Sequence, residues 1–152
     1  MGEYLHEQWE EGLSTKNSRL LQTLLDVLCR IYTAKHPPIW KIDDIYLYDL
    51  RSLLYEDWHR FHEEIIDVLT SYEDPETEKA LTGILYRVIP FYEDWIEDGM
   101  VFVWVKILWY LARIKTPTSV ETLLKFKDSP YEWIKENVRN AYHQYIDRNK
   151  EI

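Results

Sequence analysis

The sequence predicts an all-α chain, and three observations carry that prediction. Leu20, Leu21, Leu24, Leu25, Leu28 and Ile31 recur at helical spacing. Residues that cap helices stand directly before proline at Asp74-Pro75 and Ser129-Pro130. No sustained β alternation and no Asn-Gly or Asp-Gly turn occurs, and only 4 of 152 residues are glycine, too few for a turn-dense β architecture.

The elements follow in order. The leucine stripe predicts a helix over about residues 18–34, stopped by His36-Pro37-Pro38 because residues before proline avoid the α region. Asp43 and Asp44 can cap the next segment, where Leu47, Leu50, Leu53, Leu54, Trp58, Phe61, Ile65 and Leu69 mark one helical stripe. Nothing in Ile45 to Tyr72 is Gly or Pro, so one long helix and two helices meeting near Trp58 both fit. Asp74-Pro75-Glu76 opens a helix that Pro90 closes, and Glu93 to Glu97 forms a short acidic helix ended by Gly99. Met100 to Ile114 is apolar except for Lys106 and Arg113, which predicts a central helix packed on most sides; a buried strand competes, but fifteen residues is long for one. Thr118 or Ser119 then caps a short helix to Lys127, and Ser129-Pro130 starts a last helix reaching about Asp147. About seven helices in a single domain spanning residues 1–152 result, a length that buries a core without disulfides or a structural metal.

A repeat runs through this pattern. Tyr55-Glu56-Asp57-Trp58 returns 37 residues later as Tyr92-Glu93-Asp94-Trp95, and Tyr131-Glu132-Trp133 follows 39 residues after that. Near-equal spacing in this range suggests stacked helix pairs; chance recurrence in an aromatic, acidic chain is the other reading. In a different register, Ser119 to Pro130 with Asn137-Val138-Arg139-Asn140-Ala141 resembles a HEAT repeat, in which an apolar helix ending at Asp is followed by a helix carrying Val-Arg and Ala. Ile65 to Thr70, with Asp74-Pro75 and Ala80-Leu81, is similar but lacks the Val-Arg pair. The resemblance covers about residues 60–147. It implies a short α–α superhelix of antiparallel pairs whose faces bind proteins, and it assigns no catalytic residue.

Charge narrows the function classes. The formal net charge is −9, and its distribution is uneven: residues 41–98 hold 16 acids against 5 bases, whereas residues 99–152 hold 9 bases against 6 acids. A field of that sign repels phosphate backbones and anionic membranes and attracts basic partners. Met100 to Leu111 is too short to cross a bilayer, and Met1 to Glu11 is acidic and polar, unlike a signal peptide. Cys29 is the only cysteine and lies in an apolar run, so a buried inert thiol in a reducing, cytoplasmic compartment is expected.

Several constellations could carry chemistry. Glu56, His59 and Glu63 would share one face of a helix, with His62 adjacent; a Glu-x-x-His pair is half of a carboxylate-bridged di-metal site. The other half is missing, since Asn140 stands three residues before His143, and the favoured reading is a solvated acidic face with surface histidines. Glu93, Asp94, Glu97 and Asp98 beside Tyr92 and Trp95 could serve acid–base chemistry or a magnesium ion, but rings that supply area and acids that select a basic partner fit a binding patch better. Trp40, Tyr46 and Tyr48 around Asp43, Asp44 and Asp49 repeat the combination, and Lys106, Tyr110 and Arg113 form a polar stripe expected to pair with acids.

The sequence thus leads to a non-enzymatic protein-binding module without cofactor or metal. Its expected partner surface is Tyr55, Glu56, Asp57, Trp58, Tyr92, Glu93, Asp94, Trp95, Glu97 and Asp98. The most specific expectation is an immunity or inhibitor protein that covers a basic toxin or nuclease. The alternatives are a self-assembling scaffold subunit or a metal-binding helical bundle.

Overall fold

A computed structural model of the chain describes residues 2–33, 44–71, 74–87 and 101–152. Among them there are eight helices and no strand: α1 (Gly2–Ser14), α2 (Ser18–Thr33), α3 (Asp44–Leu53), α4 (His62–Leu69), α5 (Pro75–Arg87), α6 (Val101–Ile114), α7 (Pro117–Lys125) and α8 (Glu132–Tyr145). They group into two compact units, Met1–Tyr72 and Glu73–Ile152. The fold is all-α, as the periodicity predicts. The side chain of Cys29, the residues Asp43 and Pro90, and the acidic segment Glu93 to Glu97 lie outside the described residues.

In the first unit α2 packs against α1 and α4, and α3 packs against α4. Of the leucines of α2 that define its stripe, Leu21, Leu24, Leu25 and Leu28 are buried and Leu20 is half-buried. α1 has no expected counterpart: residues 1–11 read as acidic and polar, yet Trp9 is 1% exposed and forms part of the core. The signal for this helix was Leu5, Trp9 and Leu13 at successive i+4 spacing. Two complementary devices make the α1–α2 turn. Asn17 N–H donates to the Gly12 carbonyl at 2.9 Å and Lys16 N–H to the Leu13 carbonyl at 3.2 Å, a Schellman closure with Lys16 at φ 50°. Asn17 Oδ1 then accepts the Leu20 N–H at 3.1 Å, capping α2.

In the second unit α6 is the centre, packed against α5, α7 and α8, and seven of its fourteen residues are buried. The competing strand over this segment is excluded. Asp74 caps α5 as expected, accepting the Glu76 N–H at 2.9 Å with Pro75 at the first helical position. Two other starts differ from expectation. The cap of α7 is Thr116, not Thr118 or Ser119: its hydroxyl accepts the Ser119 N–H at 3.0 Å because Pro117 already takes the first helical position. α8 begins at Glu132 rather than at Pro130, since Ser129 Oγ accepts the Tyr131 N–H and makes a turn there instead.

Candidate functional site

The stripe from Ile45 to Tyr72 is two helices, separated by residues 54–61. Neither glycine nor proline breaks it. The last turn of α3 tightens, with Tyr55 N–H bonded to the Ser52 carbonyl and Glu56 N–H to the Leu53 carbonyl. Tyr, Asp, Trp and His, which follow, are all mediocre helix formers. Two histidines then take over carbonyls near the end of the turn: His59 Nε2 lies 2.9 Å from the Leu53 carbonyl, and His62 Nε2 lies 3.1 Å from that of Glu56.

This arrangement fixes the protonation of His59. Its Nδ1 accepts the Phe61 N–H at 3.2 Å, so the ring proton sits on Nε2 and is donated to the Leu53 carbonyl. The two imidazoles stack at 4.6 Å between centroids, and both side chains are 4% exposed. The Trp58 ring meets His59 edge-on at 5.1 Å, and Phe61 stacks on its own side at 6.0 Å. Burial lowers the His59 pKa below the ordinary imidazole value, against the opposing pull of its carbonyl bond and the Glu56 carboxylate. Burial, and then the neighbouring His59, push His62 down to about 4.

Glu56, His59 and Glu63 do not share a helical face, because Glu56 and His59 belong to the interhelical loop. The histidines are buried rather than on the surface, and their Nε2 atoms are directed at backbone carbonyls. Among the described residues, no group of three or more His, Cys, Asp or Glu could hold a metal ion.

The first expected partner cluster, Tyr55 to Trp58, lies on this loop. Glu56 and Asp57 are exposed, and Tyr55 and Trp58 flank them half-buried. The second cluster, Tyr92, Glu93, Asp94, Trp95, Glu97 and Asp98, lies outside the described residues, as does Trp40. The third copy of the motif starts α8, so the two described copies share sequence but not conformation.

Of the remaining aromatic–acid set, Tyr48 is 65% exposed, but Tyr46 and Asp49 serve the core. Tyr46 receives the edges of His6 and Trp9, and Asp49 Oδ2 accepts the Trp9 indole N–H at 2.9 Å. The polar stripe of α6 divides similarly: Tyr110 is buried, and the exposed Arg113 guanidinium sits 5.6 Å from its ring centroid. An acidic, aromatic surface that sequence alone did not single out lies on α1, where Tyr4, Glu7 and Glu11 share one face and are exposed. Their i, i+3, i+7 spacing opposite Trp9 was its signal. Among the described residues of the second unit, Tyr86, Phe102 and Tyr131 are the exposed large aromatics, and Tyr86 touches a ring chain that runs inward through Phe126 to the buried Trp104.

No family model, no curated protein and no solved structure matches the chain. Among the described residues, no helix is long and apolar enough to cross a membrane.

Proposed function

We propose that the protein is a non-enzymatic binding module that captures a basic protein, most specifically an immunity or inhibitor protein covering the cationic surface of a toxin or nuclease. The observation that carries this reading is the loop Tyr55–Trp58: two exposed carboxylates between two half-buried rings, on a segment fixed by buried side chains at both ends. Rings contribute contact area at low entropic cost, and carboxylates set the sign of the partner and steer its approach. The acidic face of α1 and the excess of acids over residues 41–98 support it. The acidic run Glu93, Asp94, Glu97 and Asp98 with Tyr92 and Trp95 is a second stretch whose composition suits a basic partner, and a HEAT-like superhelix is the architecture proposed for the chain. The single cysteine supports a reducing, cytoplasmic setting.

Affinity capture from native lysate at low and moderate salt tests the reading, using the wild type beside a variant with Glu56, Asp57, Glu93, Asp94, Glu97 and Asp98 changed to their amides. A stoichiometric basic protein, held by the wild type, weakened by salt and lost by the variant, is expected. A partner retained equally by the variant would sink the reading. The second reading, a self-assembling subunit, is favoured by the exposed Tyr86, Phe102 and Tyr131. Light scattering decides it: a constant dimer mass over a wide concentration range supports self-assembly.

A further inference from the structure

The loop that presents Tyr55 to Trp58 is closed by two buried imidazoles, and the Nε2 of each is bonded to a backbone carbonyl. His59 is bonded at both ring nitrogens, donating to the Leu53 carbonyl and accepting from Phe61 N–H. A second proton on His59 has only one place to go, Nδ1, where it would confront the Phe61 N–H and abolish that bond. A proton on His62 would place a cation on a ring that is 4% exposed and stacked 4.6 Å from the other imidazole. We propose that the stacked His59–His62 pair is an acid-sensitive latch: proton uptake by the imidazoles releases residues 54–61 from the α3–α4 junction while the helices of the second unit stay folded.

The surrounding charges do little to hold the protonated pair in place. The Glu56 carboxylate acts on His59 through space, but it is exposed and its pull is weaker than the effect of burial. Elsewhere on the loop Asp57 and Arg60 are exposed. On α4 Glu63 and Glu64 are half-buried and Asp67 is exposed; on α3 Asp49 and Arg51 are half-buried; on α2 Arg19 and Asp26 are exposed. Of these, Asp49 is already bonded to Trp9. The unfavourable terms, burial of both rings and their mutual repulsion, dominate for His62, in line with its low pKa of about 4. Regulation of partner capture by this latch rests on the function proposed above; the latch itself does not.

Hydrogen exchange of the full chain, followed by mass spectrometry near pH 7.5 and near pH 5 and corrected for intrinsic rates, tests it. Protection over residues 54–61 should fall at least about tenfold between the two conditions, as the depressed His62 pKa requires of any opening that exposes the ring, with α6 unchanged. The double variant His59→Gln and His62→Gln keeps amide donors for both carbonyls and takes up no proton, so its loop should lose most of this pH response. Unchanged protection in the wild type, an equal loss in α6, or a full pH response in the double variant would each overturn the latch. If the variant does not fold at neutral pH, the wild-type comparison of the loop with α6 still decides. Partner binding is measured separately at both pH values: a working latch with no basic partner removes the proposed function and leaves the latch standing.

Discussion

At Trp9 one hydrogen bond ties the first helix to the third: the indole N–H, on a side chain almost fully withdrawn from water, donates to Asp49. Asp49→Ala removes the acceptor of that indole N–H and should cost about 1–2 kcal/mol in denaturant unfolding, whereas Asp49→Asn, which retains an acceptor oxygen, should cost less. The histidines set a pH dependence of known sign. The folded pKa of His62 lies below its unfolded value, so the unfolded chain binds that proton more readily. Its contribution is fully present above about pH 6.5, declines as the pH falls, and levels off below about pH 4, a total of up to about 3 kcal/mol. Denaturant midpoints at several pH values should show this decline in the wild type and a shallower one in His62→Gln. Little of this could be read beforehand. Spacing can place His59 and His62 near acids, but their burial depends on the chain turning back at residues 54–61, a tertiary event that a local pattern does not encode.

Between residues and molecule, the helices divide by how their ends are made. Starts marked by a side chain and a proline were legible in part: Asp74-Pro75 behaves as the sequence implies, Thr116-Pro117 starts its helix two residues before the expected Thr118 cap, and Ser129-Pro130 makes a turn ahead of α8 instead. Thr116 also donates to the Glu78 carboxylate, as Thr118 does at 2.6 Å, so one carboxylate on α5 secures the beginning of α7. Thr116→Ala should therefore cost about 1–2 kcal/mol, and Thr116→Ser should recover most of it in thermal unfolding. The end of α3 was not legible, because its stop comes from carbonyls captured by histidines and not from Gly or Pro. Gly12 shows the reverse situation, a helix breaker inside a helix. A Cβ built there meets Leu20 at 3.5 Å and Leu24 at 3.8 Å, ordinary contact distances. Gly12→Ala should accordingly stabilise the protein by about 0.5–1 kcal/mol, read as a raised denaturant midpoint.

For the molecule as a whole, charge was the property that the sequence exposed most directly and helix packing the least. A net charge of −9 should leave the protein without measurable affinity for duplex DNA, with no shifted band in a mobility assay at low salt and a dissociation constant weaker than about 100 µM. A shift there would move the basic residues of the C-terminal third to the centre of any account of function. The central place of α6 was legible because its apolar residues surround the helix, whereas the division into two compact units depends on contacts between distant residues. Among the described residues, Lys16 in the first unit and Lys115 in the second have positive φ. For an L-residue that conformation costs about 1–2 kcal/mol, and a mirror-image residue occupies it at ease. A chain assembled by chemical synthesis with D-lysine at these two positions would keep every atom type, every charge and both turns while losing that penalty. Its composition would be indistinguishable from the natural chain, and only the handedness of two carbon atoms would set the more stable molecule apart.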